Sequence, residues 1–148
     1  MSSTETTIDL DVPVDLAYRK WASLENLPEL LTVVDRVDTG DGEISHWKVS
    51  LGPVSREFDA RVTEVQANQR IAWKSITGPE HAGVITFHHI DEHRSRLGVQ
   101  LDFDPDGVAE TVASALQLVE SAVEYDLGAF KANVEQEHGI EHAQKRGG

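Results

Sequence analysis

Three short patterns in this chain gather side chains that could do chemistry. Asp102, Asp104, Asp106 and Gly107 read D-x-D-x-D-G, the opening of a calcium loop in which carboxylate and carbonyl oxygens surround a hard cation. Such a loop needs an acid at its twelfth position to supply two further oxygens, and Ala113 stands there. The stretch also follows a strand pattern rather than a helix. Asp104 or Asp106 is therefore expected to cap the helix that follows, where a carboxylate meets the positive end of the dipole.

His138, Glu141 and His142 match H-x-x-E-H, an inverted zinc-protease pattern. Catalytic zinc would need a third ligand and a firm helix, and Gly139 sits inside the match. His88 and His89 are neighbours on a strand pattern, so their rings point to opposite faces; one is expected in water and one in a wall. Glu120 and Glu124 lie one helical turn apart and read as a solvated edge. There is no G-x-S-x-G elbow, P-loop or dinucleotide fingerprint, and no cysteine for a disulfide, a thiol nucleophile or a thiolate site. No metal and no cofactor is expected.

The elements that position these side chains are plainer than the chemistry. Val108, Val112, Leu116, Val119, Val123, Leu127, Phe130 and Val134 follow one another at steps of three or four, one face of a long helix over 108–137. The opposite face carries Glu110, Ser114, Gln117, Ser121, Asp126 and Glu135, which are assigned to water. Thr4 to Val12 alternates as a strand. Pro13 opens a helix over 14–24, and Asn26 and Pro28 open a second short one over 27–31.

From Val33 the period becomes two. Strands are expected over 33–39, 44–51, 54–65, 70–75, 83–89 and 97–103, punctuated by Gly40-Asp41-Gly42, Gly52-Pro53, Asn68-Gln69, Gly78-Pro79 and the polar turn 91–94. Each strand has one apolar face, as an antiparallel sheet with one wet face requires. The fold class is α+β: a seven-stranded curved antiparallel sheet wrapped around a long C-terminal helix, with two short helices after strand 1. Residues 1–138 make one domain, and 139–148, where the apolar period is lost, are expected to fray.

Composition narrows the partners. The 148 residues carry 13 Lys and Arg against 26 Asp and Glu, a net charge of −13, which disfavours nucleic acid and anionic membrane surfaces. No apolar run reaches the roughly 20 residues that span a bilayer, so no stable membrane insertion is expected. The first seven residues lack a basic region and an apolar core, and a cytoplasmic location is expected.

The element order is the helix-grip arrangement, and several stretches carry a family likeness. They are Val12-Pro13-Val14, Trp21 through Pro28, Phe58 through Glu64, Arg70 through Ser75, Gly83 through Phe87, and Asp126-Leu127 with Phe130-Lys131. In these the chain resembles the START-like superfamily SRPBCC, in its polyketide cyclase/dehydrase and coenzyme-Q-binding lipid-transport branch. The resemblance implies the helix-grip fold and a ligand cavity between sheet and helix. Members include lipid and quinone carriers, hormone receptors and aromatase/cyclases. The cyclases are held to use a polar, arginine-bearing pocket; this sequence has no clear counterpart to that pattern, Arg56 and Arg61 being the nearest candidates and Arg61 having wet-face parity.

The expected cavity lining is Leu31, Trp47, Phe58, Trp73, Ser75, Phe87, His89, Phe103, Leu116 and Val119, with Gln117 or Tyr125 beside the helix stripe and 26–34 as its mouth. So few polar anchors suit a small hydrophobic molecule such as a lipid, quinone or polyketide-like compound, held by sequestration. Burying about 200–300 Å² of apolar ligand surface is worth about 5–7 kcal/mol before ordering costs. Two alternatives stand beside this. One is a polyketide cyclase or dehydrase using the same cavity, with His89 or Tyr125 as general acid or base. The other is a protein-interaction module with a filled core that presents Leu30, Leu31 and Val34. A monomer or weak homodimer fits all three.

Overall fold

The computed structural model describes residues 2–31, 33–39, 43–51, 54–104 and 112–147; among these, the side chains of 51, 54, 112, 113 and 140–147 are left aside. The elements run β1 (Ser2–Leu10), α1 (Val14–Ala22), a 3-10 turn (Leu24–Asn26), α2 (Leu27–Leu30), β2 (Val34–Asp38), β3 (Ile44–Leu51), β4 (Val54–Gln66), β5 (Arg70–Thr77), β6 (His81–Asp91), β7 (Arg94–Phe103) and α3 (Val112–Gly147). The seven strands form one sheet in the order β1-β7-β6-β5-β4-β3-β2, every neighbour antiparallel. Strands β2 to β7 are therefore a meander, and β1 closes against the last of them. The sheet curves into a half-barrel around α3.

The period-two pattern builds this sheet as expected. In β4, Phe58 and Ala60 are buried while Glu57 and Arg61 are exposed. Two turns need special backbone. Asn68 (φ 62) turns β4 into β5, and Gly78 (φ 78) ends β5, where a Cβ would collide with the Glu57 carbonyl. Asn26, expected as a side-chain cap of α2, is itself helical and makes no cap bond, because the 3-10 turn runs straight into the helix. The start expected for α3, Asp106 with it, lies outside the described residues. At the other end its helical backbone continues through 139 and beyond, as far as Gly147.

The interior is uneven. The end of the sheet that holds the last residues of β1 and β6 and the first of β7 is filled. Leu10, Ile85, Leu97, Phe130 and Val134 are there with no exposed surface. Trp21 packs on Phe130 with ring centroids 5.1 Å apart, and Tyr18 meets the Phe87 ring edge-on at 5.5 Å. Polar contacts bind α3 to the same end. Lys131 Nζ donates to the Asp9 carbonyl (2.9 Å) and the Asp11 N–H donates to Glu135 Oε2 (2.8 Å), while from β7 the buried Ser95 hydroxyl donates to the Val12 carbonyl (2.9 Å). Among the described residues, no helix is long and apolar enough to cross a membrane.

Candidate functional site

The other end of the sheet is hollow. There the starts of β4 and β6 lie beside the ends of β5 and β7, and the first turns of α3 pass over them. The hollow measures about 230 Å³. It is walled by Trp47, Phe58, Trp73, Leu101 and Phe103 from the strands, by Val119, Val123 and Leu127 from α3, and by Trp21, Leu31 and Val34 from the α1–β2 region. All three tryptophans of the chain face it.

The strand register explains both the walls and the space between them. Trp47 pairs with Phe58, and their rings lie almost parallel, 8° apart with centroids at 6.0 Å. One step along, Ser45 pairs with Ala60 and Ala60 with Ser75, a row of small side chains. The step after that pairs Val62 with Trp73 and Trp73 with Gly83. A Cβ on Gly83 would run into the Trp73 indole, so the missing side chain is what lets that ring lie against β6. Large, small, large across three rows is how the curved face leaves room.

Polar groups at the hollow are few and fixed. Ser45, 5% exposed, accepts the Trp47 indole N–H at 2.7 Å. Asp126, 9% exposed, accepts the Val33 backbone N–H on Oδ1 at 2.9 Å and so ties α3 to the residues entering β2. At the rim stand Arg56, whose Nη1 donates to the Ser55 carbonyl (2.9 Å), and His81, whose Nδ1 lies 2.9 Å from the Pro79 carbonyl. A carbonyl only accepts, so Nδ1 carries the proton and Nε2 is left as an acceptor. The His81 ring stands edge-on to Phe58 at 4.5 Å. Burial pushes its pKa below the ordinary histidine value, with the Pro79 carbonyl partly offsetting the shift.

Six of the side chains expected at the cavity meet there: Leu31, Trp47, Phe58, Trp73, Phe103 and Val119. The others do not. Phe87 is buried in the filled end against Tyr18. Leu116 packs with Phe103, Ala115 and Val119 in a small cluster beside the hollow. The Ser75 hydroxyl is occupied by the His81 N–H at 3.0 Å. His88 and His89 are both exposed, so neither is a wall residue: His89 keeps the parity of Ile85 and Phe87, but the cover over that face ends before it. Tyr125 is 68% exposed, because two residues from Val123 is the far side of a helix. Gln117 is likewise exposed. Neither acid/base candidate, His89 or Tyr125, thus reaches the cavity. Arg61 is exposed and Arg56 lines the rim. Leu30, Leu31 and Val34 are buried, which removes the apolar contact surface of the interaction-module reading.

Sequence reasoning missed Ser45, His81 and Asp126. Asp126 corrects an assignment to water, since it follows Val123 by three residues and precedes Phe130 by four, inside the apolar stripe. His81 shares parity with Gly83, Ile85 and Phe87, but the strand was expected to begin only at Gly83. Among the described residues, no group of three or more His, Asp or Glu could hold a metal ion.

Comparison with known proteins agrees with this architecture. A 17.2 kDa protein from the melC2-rnhH intergenic region of Streptomyces lincolnensis is 37% identical over 149 residues, spanning 100% of this chain and 96% of the relative. A START superfamily protein from Mycobacterium smegmatis superposes with a TM-score of 0.80 at 15% identity, covering 90% of this chain and 97% of that one. The Zhui aromatase/cyclase from Streptomyces sp. R1128 does so with a TM-score of 0.71 at 20% identity, covering 92% of each. The family described as polyketide cyclase / dehydrase and lipid transport matches residues 10–132. The chain therefore belongs to that family, and it shares the helix-grip fold of START-like proteins.

Proposed function

We propose that this protein binds one small hydrophobic molecule in the hollow between the sheet and α3 and keeps it from water. The observation that carries this reading is the uneven interior. One end of the molecule is packed without exposed surface, while the other leaves about 230 Å³ walled almost wholly by apolar side chains. Packed interiors rarely leave voids larger than a water molecule. An apolar site with a few fixed polar groups is the usual form of a small-molecule pocket. Leu31 and Val34 wall the hollow on the α1–β2 side, and the Val33 N–H there is held by Asp126, so ligand entry is assigned to this side.

Native mass spectrometry of the purified chain, followed by denaturing extraction, tests this. The expected result is a bound organic molecule, or saturable binding when hydrophobic probes are added. Bare chain that no apolar probe stabilises against heat would overturn it. Ala122 lines the hollow from α3, and Ala122→Trp should abolish binding while leaving the circular dichroism spectrum unchanged.

One observation favours a second reading, catalysis on a polyketide-like substrate. His81 and Arg56 both line the hollow, and His81 stands against Phe58 with Nε2 available as a proton acceptor. In this reading His81, not His89 or Tyr125, is the general base. His81→Gln would then lose turnover and keep binding. Under the carrier reading it leaves ligand retention unchanged.

A further inference from the structure

The geometry points to a narrower ligand class: a flat aromatic molecule of one or two fused rings that carries an oxygen acceptor, received by the Ser45 hydroxyl. This rests on the binding reading above and deepens it.

Size comes first. A cavity of about 150 Å³ lined by aliphatic and aromatic side chains holds benzene, and pockets for drug-sized ligands run to roughly 300–1,000 Å³. The hollow here, about 230 Å³, lies between them. A diacyl lipid, a long-tailed quinone or a tetracyclic skeleton exceeds it.

Shape comes second. The small row Ser45–Ala60 is flanked by the rows Trp47–Phe58 and Val62–Trp73. Successive rows on one face stand about 7 Å apart along the strands. The small row is thus a trough between aromatic walls. Its Trp47 and Phe58 rings lie within 8° of parallel, and Trp73 is spread against Gly83. Flat rings gain quadrupole contacts from such walls beyond the area they bury, and an alkyl chain gains only the area.

The acceptor comes third. Ser45 Oγ already accepts the Trp47 N–H at 2.7 Å, so its own hydrogen remains to be given. Among the described residues that hydrogen meets no acceptor, although Ser45 is 5% exposed and lines the hollow. A buried donor without a partner is costly, and a ligand carbonyl, ether or phenolate oxygen in the trough supplies one. Trp47 therefore acts as a positioning residue that orients the hydroxyl, and Ser45 selects the ligand.

The test uses the full chain and its tryptophan fluorescence with three probes: 2-acetylnaphthalene, 2-ethylnaphthalene and decan-2-one. The expected result is that 2-acetylnaphthalene binds tightest. Ser45→Ala should weaken it by about five- to tenfold, the worth of one hydrogen bond, and leave 2-ethylnaphthalene within twofold. Ala60→Leu fills the trough while leaving the Ser45 hydroxyl in the chain, and should abolish binding of both naphthalenes with the melting temperature kept or raised. Decan-2-one binding tightest would overturn the aromatic class and leave the hydrophobic-binding reading standing. Equal effects of Ser45→Ala on the two naphthalenes would overturn the role of Ser45. Failure of all three probes to bind would overturn both the ligand class and the binding reading.

Discussion

The carboxylate of Asp126, on the third helix, holds the backbone N–H of Val33 at 2.9 Å, joining two points 93 residues apart. The bond fastens the chain entering β2 to the helix that roofs the hollow. Asp126→Ala leaves that N–H without its partner and removes a hydrogen bond to a charged group, at a cost of about 1.5–3 kcal/mol. Urea denaturation should show a lower midpoint with an unchanged slope, and a bound probe should dissociate faster in stopped-flow displacement. An unaltered dissociation rate would separate this bond from ligand entry.

Gly83 and Trp73 form a second coupled pair. Gly83→Val drives a side chain into the indole and pushes Trp73 into the hollow. Overpacking of this kind costs about 1–3 kcal/mol. The tryptophan emission maximum should shift and probe binding should fall, and Gly83→Val combined with Trp73→Ala should recover part of the stability.

Two histidines give the protein opposite responses to pH. His81 has its pKa lowered by burial, so the unfolded chain binds the proton more readily. Its contribution is full above the ordinary value of 6.5 and is lost as pH falls through the folded value. His46 faces Asp59 (2.6 Å) and Glu57 on β4, whose hydrogen bonds raise its pKa, and Asp38 stands opposite it on β2. Its stabilisation is full below 6.5 and is lost as pH rises through the folded value. His81→Gln should therefore flatten the acid side of the stability profile, and His46→Gln should lower stability there. Denaturant midpoints between about pH 5 and 8, with imidazole pKa values from NMR, check both signs.

The hollow should tolerate filling better than the packed end tolerates emptying. Phe130→Ala removes a ring with no exposed surface and should cost about 3–5 kcal/mol. Ala122→Leu at the hollow adds volume where space exists and should change the melting temperature little. Thermal melts of the two variants decide this.

Strand alternation and hairpin punctuation made the sheet readable from sequence, and the three-and-four spacing did the same for α3. Parity along a strand tells which face a residue takes, and it placed Trp47, Phe58 and Trp73 correctly. It does not tell how far along the strand the cover extends. That is why Phe87 belongs to the packed end and His89 to water, though both share the parity of Ile85. Asp126 was hidden by chemistry rather than position: its helical phase is apolar, and its polarity argued otherwise. Ser45 and Gly83 carried no sequence signal of their own, because their roles depend on the cross-strand partners Ala60 and Trp73.

The split interior also bears on how such a protein diversifies. Folding stability is concentrated in residues such as Leu10, Ile85, Leu97 and Phe130, none of which borders the hollow. Substitutions at Ser45, Ala60, Val62 or Ala122 change what the hollow accepts while the packed end keeps the chain folded. On the binding reading, ligand preference and thermal robustness are thus inherited through separate sets of positions, and one can drift while the other stays fixed.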